Sequence, residues 1–208
     1  MNIGILGTGN MGSGLGKLWA AQGHAIRFGS RTPSKAEKLA ARIGGQTQGG
    51  SFAEAAAFGD VLVLAVPWTI VEDLFKSLGS LKGKTIIDLM NAFGSDWMPA
   101  FGHTNSLAEK VAEWAPGAHV VKTFNGIYFE HLGNSQFQGM AESLFLCGDD
   151  ANAKAQVIQL GKDAGFDPVD CGGLEVARLI EPLAFLWMQI SYNAGYGSDV
   201  AFKLLRRK

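Results

Sequence analysis

Residues 2–12 read Asn2-Ile3-Gly4-Ile5-Leu6-Gly7-Thr8-Gly9-Asn10-Met11-Gly12, an apolar run that enters a glycine turn with nothing between them. Beyond the turn, Met11, Leu15, Leu18 and Trp19 recur at the spacing of one helix face. A strand, a GxGxxG turn and an amphipathic helix in direct succession predict the opening of a βαβ unit. In that setting Gly7 permits the tight turn, Gly9 leaves the backbone open to a pyrophosphate, and Gly12 lets helix and strand pack closely. Thr8, Asn10 and Met11 complete the loop, and the N–H groups at the helix start attract phosphate. Short glycine patterns are common in a chain with 28 glycines, so the flanking strand and helix carry the reading.

The pattern continues outward. Thr32-Pro33 suits a helix start, because proline at the first helical position gives up no bonded N–H. Ser51/Glu54 and Ser106/Glu109 have capping-box spacing. Residues 61–66 are continuously apolar, as a strand covered on both faces requires. Further strands are predicted at 85–90, from Val120 and Val121, and at 143–147, with helices at 70–78 and 151–164. The helix opened by Ser106 carries Leu107, Val111 and Trp114 on one side. The remainder, 174–205, reads as helical and contains Pro182. Strands alternating with helices predict an α/β fold, a Rossmann-type doubly wound and mostly parallel sheet with a C-terminal helical segment. The expected division is a dinucleotide-binding domain over 1–173 and a helical extension over 174–208. Right-handed crossovers then put the ligand crevice at the carboxyl ends of the strands.

Composition narrows the function classes. The 208 residues carry a net charge of −1, with 47% hydrophobic and 18% charged residues, which excludes disorder over most of the length. That balance argues against a phosphate-gripping nucleic-acid binder. Cys147 and Cys171 form no CxxC pair, and His24, His103, His119 and His131 are scattered, so no metal site is expected. The longest candidate span, 183–190, is short and contains Gln189, and no basic leader precedes the first strand. A cytoplasmic protein with no membrane partner is expected.

The second strand selects the dinucleotide. An NAD site carries an acidic residue about 20 residues beyond the glycines. Here the first acidic residue is Glu37, and the second strand runs into Gly29-Ser30-Arg31-Thr32 with Lys35 one turn on. A hydroxyl, a guanidinium and a second cation are what a 2′-phosphate needs, so NADP(H) is expected over NAD(H). The plainer reading makes Arg31 and Lys35 solvated surface charges. At the nicotinamide end, Ala65-Val66-Pro67-Trp68 and Asn91-Ala92 follow successive strands, and Trp68 either walls a flat ring or belongs to the core. Trp68, Thr123 and Asn125 are candidates for the substrate pocket, although asparagine also forms turns for its own sake. Gly83-Lys84-Thr85 resembles the end of a P-loop. It lacks the earlier glycine, with Leu78 in that place, and it precedes a strand, so it is set aside. Arg178 and Glu181 are spaced to pair along a helix.

Taken together, GTGNMG at 7–12, GSR with the following lysine at 29–35, VPW at 66–68, CGDD at 147–150 and the Arg178/Glu181 region resemble the deazaflavin (coenzyme F-420)-dependent NADP reductases. Related domains form the cytosolic part of the six-transmembrane metalloreductases, which reduce a flavin with NADPH. The resemblance implies that Ser30, Arg31 and Lys35 hold the 2′-phosphate. It also implies that the nicotinamide lies near Val66, Pro67 and Trp68 with the acceptor ring stacked on it. The segment 122–132 departs from the corresponding part of the deazaflavin reductases, which leaves a flavin, another electron carrier or a small metabolite open as acceptor.

The expected reaction is direct hydride transfer between NADP(H) and a deazaflavin or flavin, with the protein orienting the rings and excluding water. No catalytic side chain is nominated. Two alternatives stand beside it: a reductase of a small carbonyl or imine, and a non-catalytic NADP(H) sensor. Imine and hydroxyacid reductases of similar N-terminal pattern carry a helical domain of about 100 residues or more, whereas 83 residues follow Asn125 here. Leu183, Phe185, Leu186, Trp187 and Met188 supply apolar surface to cover an acceptor pocket or to join two subunits, and a homodimer is expected.

Overall fold

A computed structural model describes residues 1–94 and 98–207. The first βαβ unit is β1 (Asn2–Leu6), α1 (Asn10–Ala21) and β2 (Ala25–Gly29). Then come α2 (Pro33–Ile43), β3 (Thr47–Gly50), α3 (Phe52–Phe58), β4 (Val61–Leu64), α4 (Val71–Leu78) and β5 (Thr85–Asp88). The second half holds α5 (Leu107–Trp114), β6 (His119–Lys122), a small hairpin of β7 (Gln136–Phe137) and β8 (Met140–Ala141), and β9 (Ser143–Gly148). It ends with α6 (Ala151–Asp163), β10 (Asp167–Asp170) and α7 (Ala177–Met188). The main sheet runs β10-β9-β6-β5-β4-β1-β2-β3. Every pairing is parallel except β6 with β9.

The chain builds β1 and then places β2 on one side of it and β4 on the other. Strand order therefore reverses between β1 and β4, which opens a crevice beyond their carboxyl ends. Strand β4 shows why its sequence is apolar throughout. Val61 and Val63 enter one core layer with Ile3, Ile5, Leu15 and Trp19, while Leu62 and Leu64 enter the other with Leu6, Val71 and Ile86. All four are buried, as alternation in a sheet covered on both sides demands. Trp19 is fully buried and donates from Nε1 to the Leu160 carbonyl at 2.8 Å, fixing α1 against α6. Ser51 and Glu54 form the reciprocal capping box at α3. At α5 the Ser106 hydroxyl accepts from the Glu109 N–H, and the Glu109 carboxylate turns back onto that hydroxyl.

The structure departs from the sequence reading at several places, among them the strand read over 85–90, which ends at Asp88. Strand β4 stops at Leu64, so residues 65–67 form the loop over the crevice. Strand β3 had no apolar signal: it is Thr47-Gln48-Gly49-Gly50 at the sheet edge. A Cβ on Gly49 would lie 2.2 Å from the α2 backbone, so the helix packs on bare main chain. Strand β10 and the β7–β8 hairpin were likewise unforeseen, being short and half exposed. The C-terminal helix does not reach residue 205. It passes through Pro182, ends in a π-turn over Gln189–Asn193, and Gly195 and Gly197, at φ of 80° and 78°, turn the chain back. The tail then binds the body: the Ser143 N–H donates to the Phe202 carbonyl, and Trp187 Nε1 donates to that of Val200. Among the described residues no helix is long and apolar enough to cross a membrane.

His131 latches this tail. Its Nδ1 meets Glu142 Oε2 at 2.9 Å and its Nε2 meets the Ser198 carbonyl at 2.9 Å, so the doubly protonated ring donates to both. Burial lowers the affinity of this ring for its second proton, but the hydrogen bonds to Glu142 and Ser198, with the charges of Glu142 and Asp199, together raise it above the ordinary histidine value. The latch therefore contributes fully just below about pH 6.5, and its contribution is lost as pH rises through the higher folded value. Burial also raises the pKa of the Glu142 carboxyl, so the pair is lost again once that carboxyl protonates in acid. Limited proteolysis of the segment after residue 197 is expected to accelerate from pH 6 to pH 9. A His131→Phe variant, which cannot titrate, is expected to be cut at a rate independent of the latch across that range.

Candidate functional site

The crevice begins at the turn between β1 and α1. Gly7 has φ 130°, and a Cβ there would lie 2.1 Å from the Ala65 carbonyl oxygen. Its N–H donates to the Gly29 carbonyl at 3.0 Å, tying the turn to the end of β2. A Cβ on Gly12 would lie 2.7 Å from the Gly7 oxygen and 3.1 Å from Ala65 Cβ, the close packing expected of the last glycine. Gly9 differs, for a Cβ there meets nothing within 4 Å. As N-cap of α1 it offers no side chain to the first-turn N–H groups, and no acidic residue occupies that turn. Open space, uncapped donors and the positive end of the helix dipole suit an anion.

From that turn a cavity of about 450 Å³ runs along the strand ends. Gly9, Asn10, Met11 and Gly12 form one wall and Ala65, Val66, Pro67 and Trp68 another. Met90, Asn91, Phe93 and Phe129 line the far end. Trp68 is half-buried and stands edge-on to Phe101 at 5.6 Å, so it is part of the crevice wall and is packed from behind. At the opposite end, Ser30 Oγ accepts from the Thr32 N–H at 3.2 Å, and Arg31, Thr32 and Lys35 are exposed around it. Neither Arg31 nor Lys35 has an acidic partner among the described residues. Glu54 on the adjoining helix is occupied by Ser51 and Arg27, and the Ser51 backbone bond lowers its pKa below the ordinary carboxylate value.

Asn91 stands where the crevice meets a second cavity of about 190 Å³. Its Nδ2 donates to the Asn125 carbonyl at 2.9 Å, which fixes the amide orientation because that carbonyl only accepts. Its Oδ1 is buried with no partner among the described residues. A buried carbonyl oxygen in want of a donor fits a carboxamide N–H or a ribose hydroxyl arriving from the cavity. The second cavity lies under α7: Ala184, Trp187 and Met188 face Tyr128, with Asn125 and Tyr192 at its edge. Tyr128 stacks on Trp187 at 5.2 Å and 21°. Among the described residues, none that lines it is charged.

Several sequence candidates fall elsewhere. Thr123 is fully buried and its hydroxyl donates to the Phe145 carbonyl at 3.0 Å, so it belongs to the joint between β6 and β9 and not to the pocket. Ala92 is buried in the core below the crevice. Asn125 lines the second cavity and also supports the fold, donating from Nδ2 to the Ile180 carbonyl at 2.8 Å. Arg178 and Glu181 do not pair with each other. Arg178 grips Glu109 through two bonds, holding that carboxylate below its usual range, while Glu181 is buried and accepts from the N–H groups of Leu107 and Ala108. Burial pushes the Cys147 thiol up to about 12, which leaves it inert. Lys84 of the rejected P-loop-like stretch donates to the Gly59 carbonyl.

Sequence reasoning missed Asp88, Lys122, Tyr128, Phe129 and Tyr192. Asp88 and Lys122 left a signal, a charge directly after the apolar pairs Ile86-Ile87 and Val120-Val121 of two neighbouring strands, and they are register partners in the sheet. The aromatics after β6 gave none, because loop residues have no periodicity to read.

The strand order, the glycine turn at its reversal and the cleft beyond define the class: a Rossmann-type dinucleotide-binding domain. The family model for coenzyme F420-dependent NADP oxidoreductases matches residues 2–92. An F420-dependent NADP reductase of Methanocaldococcus jannaschii is 32% identical over 93% of this chain and 95% of its own length. The chain belongs to that family and so to the NADP-dependent oxidoreductases. The metalloreductase STEAP3 of Rattus norvegicus is 30% identical over 87% of the chain, which spans only 36% of that protein. A solved structure from Arthrobacter sp. FB24, assigned there to the F420-dependent NADP reductases, superposes with a TM-score of 0.88 at 29% identity, covering 99% of this chain and 100% of that one. An imine reductase of Aspergillus terreus, TM-score 0.69 at 23% identity over 93% of this chain and 63% of that one, shares the fold.

Proposed function

We propose that the chain transfers a hydride between NADP(H) and a planar deazaflavin- or flavin-type acceptor. In this reading the pyrophosphate lies against Gly9 and the first turn of α1, and the 2′-phosphate lies among Ser30, Arg31, Thr32 and Lys35. The nicotinamide lies between residues 65–68 and Asn91, whose unpartnered Oδ1 receives a donor from it. When bound, the nucleotide supplies the hydride; the chain's own groups hold it, and Trp68, Phe93 and Phe129 exclude water from the cleft.

The observation that carries the acceptor is the second cavity, contiguous with the crevice at Asn91, uncharged among the described residues and walled by stacked Tyr128 and Trp187. Aromatic walls of that kind receive a flat ring system. A second reading, reduction of a small carbonyl or imine, is favoured by the Tyr128 and Tyr192 hydroxyls at the same cavity. Burial, then the Tyr192 hydroxyl, raises the Tyr128 pKa, keeping it a proton donor of the kind those substrates need.

NADPH oxidation followed at 340 nm against a deazaflavin, free flavins and simple cyclic imines separates the two. Turnover of the ring acceptors, undiminished by Tyr128→Phe, is the expected result. Turnover confined to imines or carbonyls and lost in Tyr128→Phe would replace it with the second reading.

A further inference from the structure

We propose that Lys122 is a positioning residue that fixes Asn91 toward the nicotinamide and couples the cofactor wall to the acceptor wall, an inference that rests on the nicotinamide placement given above. Lys122 is fully buried at the carboxyl end of β6. Its ammonium has three protons and three partners: the Met90 carbonyl at 2.6 Å, Asp88 Oδ2 at 3.1 Å and Glu181 Oε1 at 3.4 Å. Asp88 Oδ1 in turn accepts from the Met90 N–H at 2.9 Å. Both backbone groups of Met90 are thereby held by the buried ion group, and the next residue is Asn91, set between crevice and second cavity.

The third arm reaches α7. Glu181 lies one turn before Ala184 and two before Trp187 and Met188, which wall the acceptor cavity. One ammonium therefore holds the backbone beside the cofactor and the helix over the acceptor. A buried ion group is a poor means of stabilising a fold, since apolar residues of the same volume do as well or better. What it supplies is direction: charge-assisted bonds fix a loop where packing alone would let it slide. That need arises here because residues 89–92 follow a strand that has already ended at Asp88.

The test compares NADPH with 2′,5′-ADP, which keeps the phosphate end and lacks the nicotinamide, using titration calorimetry on the intact protein. Lys122→Met is expected to weaken NADPH about tenfold, equivalent to 1.4 kcal/mol, and to change 2′,5′-ADP by less than about twofold. The double variant with Asn91→Ala is expected to bind NADPH no more weakly than Asn91→Ala alone, since both act through one contact. Equal weakening of both ligands, or additive losses, would overturn the role. If Lys122→Met does not fold, Asp88→Asn reads the same arm, keeping the bond to the Met90 N–H while turning an amide toward the ammonium; selective loss of NADPH supports the role and parallel or absent loss overturns it. Asn91→Ala separates the two levels. If it leaves NADPH and 2′,5′-ADP unchanged, the nicotinamide placement falls and the role of Lys122 with it. If it weakens NADPH selectively while a folded Lys122→Met does not, only the role of Lys122 falls.

Discussion

Gly9→Ala is expected to remove nucleotide binding while leaving the protein folded. The added Cβ meets no protein atom within 4 Å, so its cost to folding is that of an alanine N-cap, about 1 kcal/mol. For a chain of this size that lowers the melting temperature by roughly 2–4 °C. The same methyl stands in the open space where the proposed site puts the pyrophosphate, against the first turn of α1. NADPH affinity is expected to fall at least about 100-fold, or 2.7 kcal/mol, and NADH affinity with it, because both share the pyrophosphate. Gly12→Ala is the contrasting case. Its Cβ would press on the Gly7 oxygen at 2.7 Å and on Ile5, so overpacking is expected to cost about 1–3 kcal/mol of stability as well. Melting curves and NADPH titration on both variants check this; a Gly9→Ala protein that binds NADPH normally would take the pyrophosphate away from α1.

The second large effect belongs to the other end of the nucleotide. Arg31→Ala is expected to weaken NADPH by about 1.5–3 kcal/mol, the loss of a charge-assisted hydrogen bond, which is roughly 10- to 150-fold. NADH, without the 2′-phosphate, is expected to keep its affinity. Arg31 is exposed and engaged by no acidic side chain among the described residues, so removing it costs the fold nothing measurable. Because the group is solvated, the preference for NADPH is expected to narrow as salt rises. Equal losses for the two nucleotides, measured at one ionic strength, would contradict the phosphate assignment.

The turn, helix start and cation-rich loop to which the phosphates are assigned were legible in the sequence because they depend on local geometry. A tight turn, a helix start and a cation-rich loop are each made by residues within a few positions of one another. The same holds for the sheet interior, where 61–64 must be a doubly covered strand whatever surrounds it. The second cavity, where the acceptor is proposed to lie, was not legible. Tyr128, Trp187 and Tyr192 meet across some 60 residues of chain, and no spacing rule connects them. Arg178 and Glu181 show the limit most plainly: helical spacing paired them, but Glu109 and the α5 N-terminus were closer partners in space.

By itself the sequence determined a mostly parallel α/β sheet with a dinucleotide turn at β1 and cations at the end of β2, because backbone sterics, hydrophobic period and the absence of an early carboxylate act over short distances. Tertiary structure alone decided that α7 folds back over the strand ends and that Thr123 is spent inside the sheet. It also decided that a buried lysine stands behind Asn91. Those outcomes depend on which distant groups remain to satisfy a buried charge or hydrogen bond once the sheet has formed, and that competition is settled only in three dimensions.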